Sequence, residues 1–141
     1  MTKVLVIEAR YYDHINDLLL EGIKKTLEEA GASHDVLTVP GALEIPAALK
    51  LSIGKGYDAF IVIGCVIRGE TSHYDIVCNE SARGVYDCVM DYDLALGNAI
   101  LTVENEEQAI ARADKGQKNK GGDAAGAALR MLEIKKKAFG L

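Results

Sequence analysis

Four apolar runs, separated by longer segments with helical periodicity, divide the chain into alternating units. The longest run, residues 59–67, reads AFIVIGCVI and is rich in β-branched side chains. Such a run is typical of a strand that is buried on both faces of a parallel sheet. Shorter runs at residues 3–7, 35–39 and 98–103 predict three further strands.

The segments between these runs carry apolar residues at three- and four-residue spacing, which predicts helices with one buried face. Asp13 is placed to cap the first of them. Ser72 with Asp75 fits a capping box before the third, and Asn105 with Gln108 fits another before the fourth. We predict helices over residues 14–30, 43–53, 73–89, 106–113 and 124–137, with a polar loop over residues 114–122.

Strands that alternate with helices in this order predict right-handed crossovers between parallel strands. We therefore expect a flavodoxin-like, three-layer α/β/α sandwich with a four-stranded parallel sheet, formed as a single domain by residues 1–141. Ligands of such folds bind beyond the carboxyl ends of the strands. Four loops are expected to meet there: residues 10–12, 40–44, 68–73 and 102–105.

Composition and charge narrow the class of protein. No apolar run approaches the roughly 18 residues that a membrane helix needs, and no signal segment opens the chain, so we expect a soluble cytoplasmic protein without a membrane partner. The net charge of −5 argues against nucleic acid as the main partner. Cys65, Cys78 and Cys88 lack the spacing of metal ligands, which favours reduced thiols in the core over a metal or reactive role.

The loop at residues 68–72 links the longest apolar run directly to a helix and contains a glycine. The unpaired N–H groups and the dipole of a helix start favour an anion there. His73 follows in the first turn, where it is either a titratable group beside the anion or an ordinary exposed helix residue.

Other polar side chains near the predicted edge are ambiguous. Glu44 is either a ligand-binding carboxylate or a residue favoured by the helix dipole. Tyr11 and Tyr12 are adjacent and cannot both face the core, so one of them is available for stacking. For Arg112, Lys118 and Lys120, a role as surface charges is favoured over ligand binding. Physical reasoning alone does not define a reaction.

Three sequence blocks resemble the lumazine synthase family. Residues 39–46 read VPGALEIP, and residues 64–80 read GCVIRGETSHYDIVCNE, similar to its G-x-V-I-R-G-x-T-x-H-x-D and V-C-N-E segments. Residues 101–121 include LTVENEEQA, RA and NKG, which match the third block. The resemblance extends in order over nearly the whole chain.

The resemblance implies an enzyme of riboflavin biosynthesis, a transferase that forms homopentamers or multiples of them. It condenses 5-amino-6-(D-ribitylamino)uracil with 3,4-dihydroxy-2-butanone 4-phosphate to 6,7-dimethyl-8-ribityllumazine, releasing phosphate and water. This chemistry needs a group that exchanges protons near neutral pH and a pocket that orients two substrates, but no metal and no other cofactor.

The resemblance also implies the site residues. His73 and Arg112 would be catalytic, the first in proton transfer and the second in holding phosphate. Tyr11 would stack on the pyrimidine, and Glu44 would bind the ribityl hydroxyls. The other residues implied in substrate binding are Ala42 and Leu43 beside the ribityl chain, Cys65, Val66 and Ile67 around the heterocycle, Glu70, Thr71 and Lys120 near the phosphate, and Asn98 from a neighbouring subunit.

The sequence departs from the family pattern at residues 11–12, at Asn98 and at residues 114–118, which differ from the usual G-T-K-x-G loop. Tyr11 and Tyr12 stand where Phe-Asn is common, and Asn98 stands where an aromatic side chain from the neighbour often covers the ring. An alternative from another class is a flavin- or lumazine-binding module of the same fold without catalysis, which the fold and a stacking tyrosine would permit. The joint presence of His73 and Arg112 favours the enzyme over this alternative.

Overall fold

The computed structural model describes residues 1–139. Its strands form one parallel sheet in the order β2-β1-β3-β4. The strands are β1 Lys3–Ala9, β2 Ser33–Val39, β3 Ala59–Ile67 and β4 Leu96–Val103. All four predicted strands are thus present, and the bounds of β3 are the predicted ones. The others are longer than predicted, because pairing with neighbouring strands extends β1 to Ala9, β2 back to Ser33 and β4 back to Leu96.

Three of the helices connect successive strands, and the last two follow β4. The helices are α1 Asp13–Glu29, α2 Ile45–Ser52, α3 His73–Tyr92, α4 Glu106–Ala113 and α5 Lys120–Phe139, with a 3-10 turn at Ala42–Glu44 before α2. No helix within residues 1–139 is both long and apolar enough to span a membrane.

The two faces of the sheet are covered by different helices. Side chains of α1, α4 and α5 pack with Val6 and Ile61 on one face, and those of α2 and α3 pack with Ile7 and Val62 on the other. The side chains of β3 are buried from Ala59 to Cys65. This arrangement confirms the predicted flavodoxin-like α/β/α fold.

The helix starts agree with the sequence in part. Asn105 caps α4 as predicted, since its side chain accepts a hydrogen bond from the backbone N–H of Gln108 at 2.9 Å. Ser72 occupies the cap position of α3, but the predicted capping box with Asp75 is wrong. The hydroxyl of Thr71 accepts instead from the N–H of His73 at 3.2 Å.

Two further predictions on helix starts are wrong. Asp13 is the first residue of α1 rather than its cap, and its carboxylate accepts a hydrogen bond from Arg10 at 3.0 Å. The predicted loop at residues 114–122 ends early, because α5 begins at Lys120. The side chain of Asn119 accepts from the N–H of Gly122 at 3.2 Å, as a helix cap does. A Cβ on Gly121 would lie 2.3 Å from the carbonyl oxygen of Leu19, so this glycine serves close packing rather than a loop.

Candidate functional site

Three of the four predicted loops enclose a cavity of about 420 Å³ at the carboxyl edge of the sheet. Its volume lies within the range usual for small-molecule sites. Its lining consists of Tyr11, Tyr12, Pro40, Gly41, Ala42, Leu43, Glu44, Cys65, Val66, Ile67, His73 and Val77. The structure therefore brings together eight of the residues that the sequence singled out as candidates.

The floor of the cavity is the carboxyl end of β3. Cys65 is buried there, and Val66 and Ile67 are half-buried. Burial raises the pKa of Cys65 to about 11, so its thiol stays protonated at neutral pH. The floor is thus uncharged and suited to a flat heterocycle.

The turn between β1 and α1 supplies two aromatic rings with different environments. Tyr11 is 74% exposed, whereas Tyr12 is half-buried and packs against the core between the sheet and α1. Their ring centroids lie 4.9 Å apart at an interplanar angle of 74°, an edge-to-face contact. Burial is the main cause that raises the pKa of Tyr12, and the nearby ionisable groups of Tyr11 and Cys65 raise it further. Tyr11 is therefore the ring available for stacking.

The loop after β2 supplies the third side of the cavity. The backbone N–H of Glu44 donates to the carbonyl of Gly41 at 3.1 Å, and this bond closes the 3-10 turn. Ala42 is buried and anchors the turn, whereas Leu43 is exposed at its surface. Glu44 occupies the cap position of α2, but its carboxylate makes no capping hydrogen bond. Glu44 lines the cavity, and an ionised carboxylate can accept hydrogen bonds from hydroxyl groups.

His73 lines the cavity as the first residue of α3. The loop before it is tied down by Arg68, whose Nε lies 2.9 Å from both carboxylate oxygens of Glu104. The same guanidinium lies 4.2 Å from the ring centroid of Tyr74 and 3.6 Å from the carboxylate of Asp75. The loop that leads into His73 is thus held between the ends of β3 and β4.

The remaining candidates lie outside the cavity lining in a single chain. Asn98 is half-buried on β4, and its side chain accepts from the N–H of Ile100 at 2.8 Å. Arg112 is half-buried in the last turn of α4, where its Nη1 donates to the carbonyl of Gln108 at 3.1 Å. The others outside the lining are Glu70 and Thr71, exposed in the loop before His73, and Lys120, 3.9 Å from the carboxylate of Asp123.

Sequence reasoning missed other residues at this edge. Pro40, Gly41 and Val77 also line the cavity, and their position close to residues already singled out is the signal that could have found them. Tyr12, which the sequence named beside Tyr11, lines the cavity too. Glu8 lies beyond residue 7, the predicted end of the first strand, but is a buried residue of β1, 4% exposed.

Comparisons with known proteins agree with one another. Residues 1–136 match the family model described as 6,7-dimethyl-8-ribityllumazine synthase. A protein of that name from Zymomonas mobilis is 59% identical over 97% of this chain and 99% of its own length. Its namesake from Sphingopyxis alaskensis is 56% identical over 100% of this chain and 99% of its own. The namesake from Agrobacterium fabrum is 56% identical over 97% of both chains.

Proposed function

The chain belongs to the 6,7-dimethyl-8-ribityllumazine synthase family, and we propose that the cavity at the carboxyl edge of its sheet is one half of the site for the family's reaction. The protein is a transferase of riboflavin biosynthesis. It joins the ribitylaminopyrimidinedione to the butanone phosphate and releases phosphate and water, forming 6,7-dimethyl-8-ribityllumazine. The observation that carries the proposal is that Tyr11, Glu44 and His73 line one cavity with an apolar floor.

Each side of the cavity suits one part of the pyrimidine substrate. The exposed ring of Tyr11 offers a stacking surface, and the floor at Cys65 to Ile67 accepts the heterocycle. The carboxylate of Glu44, beside Ala42 and Leu43, accepts hydrogen bonds from the ribityl hydroxyls. Binding along this line places the reactive amine near His73.

His73 exchanges the protons that the condensation requires. The amine of the pyrimidine attacks the ketone carbon, the resulting carbinolamine loses water to form an imine, and removal of a proton allows phosphate to leave. Each step moves a proton onto or off the reacting atoms, which an imidazole does near neutral pH. Loss of phosphate leaves an enol at the carbon that carried the hydroxyl group, and this enol tautomerises to a new ketone. The ribitylamino nitrogen then attacks this ketone and closes the ring with loss of a second water. Orientation of the two substrates supplies much of the remaining acceleration.

The phosphate half of the site comes from a neighbouring subunit in this proposal. Arg112, Asn98 and Lys120 lie outside the lining of the cavity within one chain. In a ring of five subunits, Arg112 of one subunit would complete the cavity of the next. Lys120 would add positive charge near the phosphate, and the loop at Glu70 and Thr71 would contact it. Head-to-tail contacts of this kind close into rings.

Exposed apolar side chains on α3 support assembly. Ile76 is 54% exposed and Met90 is 78% exposed, and the rings of Tyr86 and Tyr92 are also exposed. Large apolar surface of this kind is characteristic of contacts between subunits. We propose that the chain is a single domain that forms homopentamers or multiples of them in the cytoplasm, without nucleic acid or membrane as a partner.

The test is turnover by the purified protein. An absorbance scan first establishes whether a flavin or lumazine copurifies with it. The two substrates are then supplied together, and lumazine formation and phosphate release are followed. We expect equal molar amounts of the two products, with catalysis lost when either substrate is omitted. A protein that binds lumazine tightly and forms none would instead be the non-catalytic module.

A further inference from the structure

A buried carboxylate lies behind the turn that carries Tyr11. Glu8 points from β1 toward α1 and is 4% exposed. Its oxygens accept hydrogen bonds from Arg10 Nε at 3.1 and 3.2 Å, from Thr38 Oγ1 at 2.7 Å and from Asn16 Nδ2 at 3.5 Å. Burial acts to raise the pKa of Glu8, but these hydrogen bonds and the charge of Arg10 hold it below its ordinary value. Glu8 is therefore ionised at neutral pH.

Arg10 links this carboxylate to the first turns of α1. Its Nη1 lies 3.0 Å from the carboxylate of Asp13 and 3.3 Å from the Asp13 carbonyl oxygen, and its Nη2 lies 2.7 Å from Asp17. The side chain thus spans the turn from the end of β1 to α1. Tyr11 and Tyr12 lie inside the span.

Backbone contacts hold the same turn on both sides of Tyr11. The N–H of Arg10 donates to the carbonyl of Val39 at 3.3 Å, which extends the contact between β1 and β2. Asn16 donates from its side chain to the carbonyl of Ala9 at 3.1 Å and from its backbone to that of Tyr12 at 3.1 Å. The Glu8 carboxylate contacts both Arg10 and Asn16, so it joins these restraints into one network.

We propose that Glu8 is a positioning residue, which acts through Arg10 and Asn16 to hold the Tyr11 ring in place for the pyrimidine substrate. Glu8 and Arg10 do not line the cavity, so their effect on substrate is indirect. Removing a carboxylate from water is costly, and an apolar side chain in a core often stabilises a fold equally well. A ring that is ordered before binding loses less conformational entropy when the substrate stacks on it. This inference rests on the proposed stacking role of Tyr11.

The test compares Glu8→Gln with Tyr11→Ala in the assembled enzyme. Glu8→Gln keeps the shape of the side chain but removes its charge, which loosens the hold on Arg10. We expect the KM for the pyrimidine and the Kd of the lumazine product to rise about three- to tenfold, the range of one aromatic contact. The KM for the butanone phosphate and kcat should stay within about twofold, because the anion site and the proton-transfer residue are separate from Tyr11.

The double variant distinguishes positioning from general damage. If Glu8 acts through Tyr11, adding Glu8→Gln to Tyr11→Ala raises the pyrimidine KM no further. If the two substitutions instead raise the pyrimidine KM by factors that multiply in the double variant, the inference is overturned. It is also overturned if Tyr11→Ala raises the pyrimidine KM and Glu8→Gln does not. A pyrimidine KM unaffected by Tyr11→Ala would refute the stacking role of Tyr11 itself. It would not contradict lumazine synthase activity.

Two further variants keep the test decisive. Glu133→Gln removes an exposed carboxylate that pairs with Arg130 at 3.0 Å on α5, and it should leave all constants unchanged. If Glu8→Gln does not fold, Asp17→Asn removes the negative charge of the ion pair at the other end of Arg10, from an exposed position. It should raise the pyrimidine KM in the same direction by a smaller factor. No change in Asp17→Asn would then overturn the inference.

Discussion

Replacing Arg112 by alanine should weaken the binding of one substrate and spare the other. The only hydrogen bond described for its guanidinium within residues 1–139 joins Nη1 to the carbonyl of Gln108, one turn earlier in the same helix. Most of its five N–H donors therefore remain for a ligand. Charge-assisted hydrogen bonds contribute about 1.5–3 kcal/mol. Arg112→Ala should thus raise the KM for the butanone phosphate by roughly ten- to 150-fold, while the KM for the pyrimidine changes by less than about twofold.

Steady-state kinetics with each substrate varied in turn measures the two constants. Arg130→Ala is the matched control, since it removes the same charge from an exposed position on α5. Arg112→Lys should recover only part of the loss, because lysine keeps the charge but lacks the planar fork that binds phosphate at two points. Equal losses for both substrates, or a loss for neither, would show that the phosphate is held elsewhere.

Three further predictions concern the site and the fold. His73→Ala should lower kcat by roughly one to two orders of magnitude and leave the size of the assembly unchanged; turnover at the wild-type rate would remove His73 from the mechanism. Gly97→Ala should lower the free energy of unfolding by about 1–3 kcal/mol, because its Cβ would lie 1.8 Å from the carbonyl oxygen of Ala124. Urea denaturation measures this against Gly126→Ala, which meets nothing within 4 Å and should not destabilise. The folded-state pKa of Glu8 lies below its ordinary value of 4.5. Ionised Glu8 therefore stabilises the fold above that value, and this stabilisation is lost as the pH falls through the folded-state pKa. The stability difference between wild type and Glu8→Gln should therefore shrink on acidification below pH 4.5, and a difference independent of pH would contradict this.

The sheet was predictable because its signals are local. The β-branched run at residues 59–67 has no polar interruption, and the bounds of β3 follow from it directly. Parallel topology then places the ends of β1, β2 and β3 at one edge, so the loops with Tyr11, Glu44 and His73 had to meet. The cap at Asn105 was also local, since both partners lie within one helical turn.

Features that depend on distant contacts were not predictable. The glycines near the start of α5 resemble a loop in sequence, but Gly121 is required by the carbonyl of Leu19, about a hundred residues earlier in the chain. The predicted first strand ended before Glu8, because the burial of this residue depends on Thr38 in another strand and Asn16 in a helix. The sequence likewise contains no local signal that Arg112 lies outside the cavity that holds His73.

The most direct test of the shared site is recovery of activity in mixed rings. One variant carries Glu44→Ala with His73→Ala, the other carries Arg112→Ala, and the two are unfolded together and refolded at equal amounts. Activity is measured at a butanone phosphate concentration well below the KM, where each variant alone has little activity. If each site takes its two halves from neighbouring subunits, roughly a quarter of the sites in random rings contain both intact halves. We expect activity near a quarter of the wild-type value, with mixed rings verified by native mass spectrometry. Mixed rings without recovered activity would show that each chain carries a complete site, and would contradict the proposed contribution of Arg112 from the neighbouring subunit.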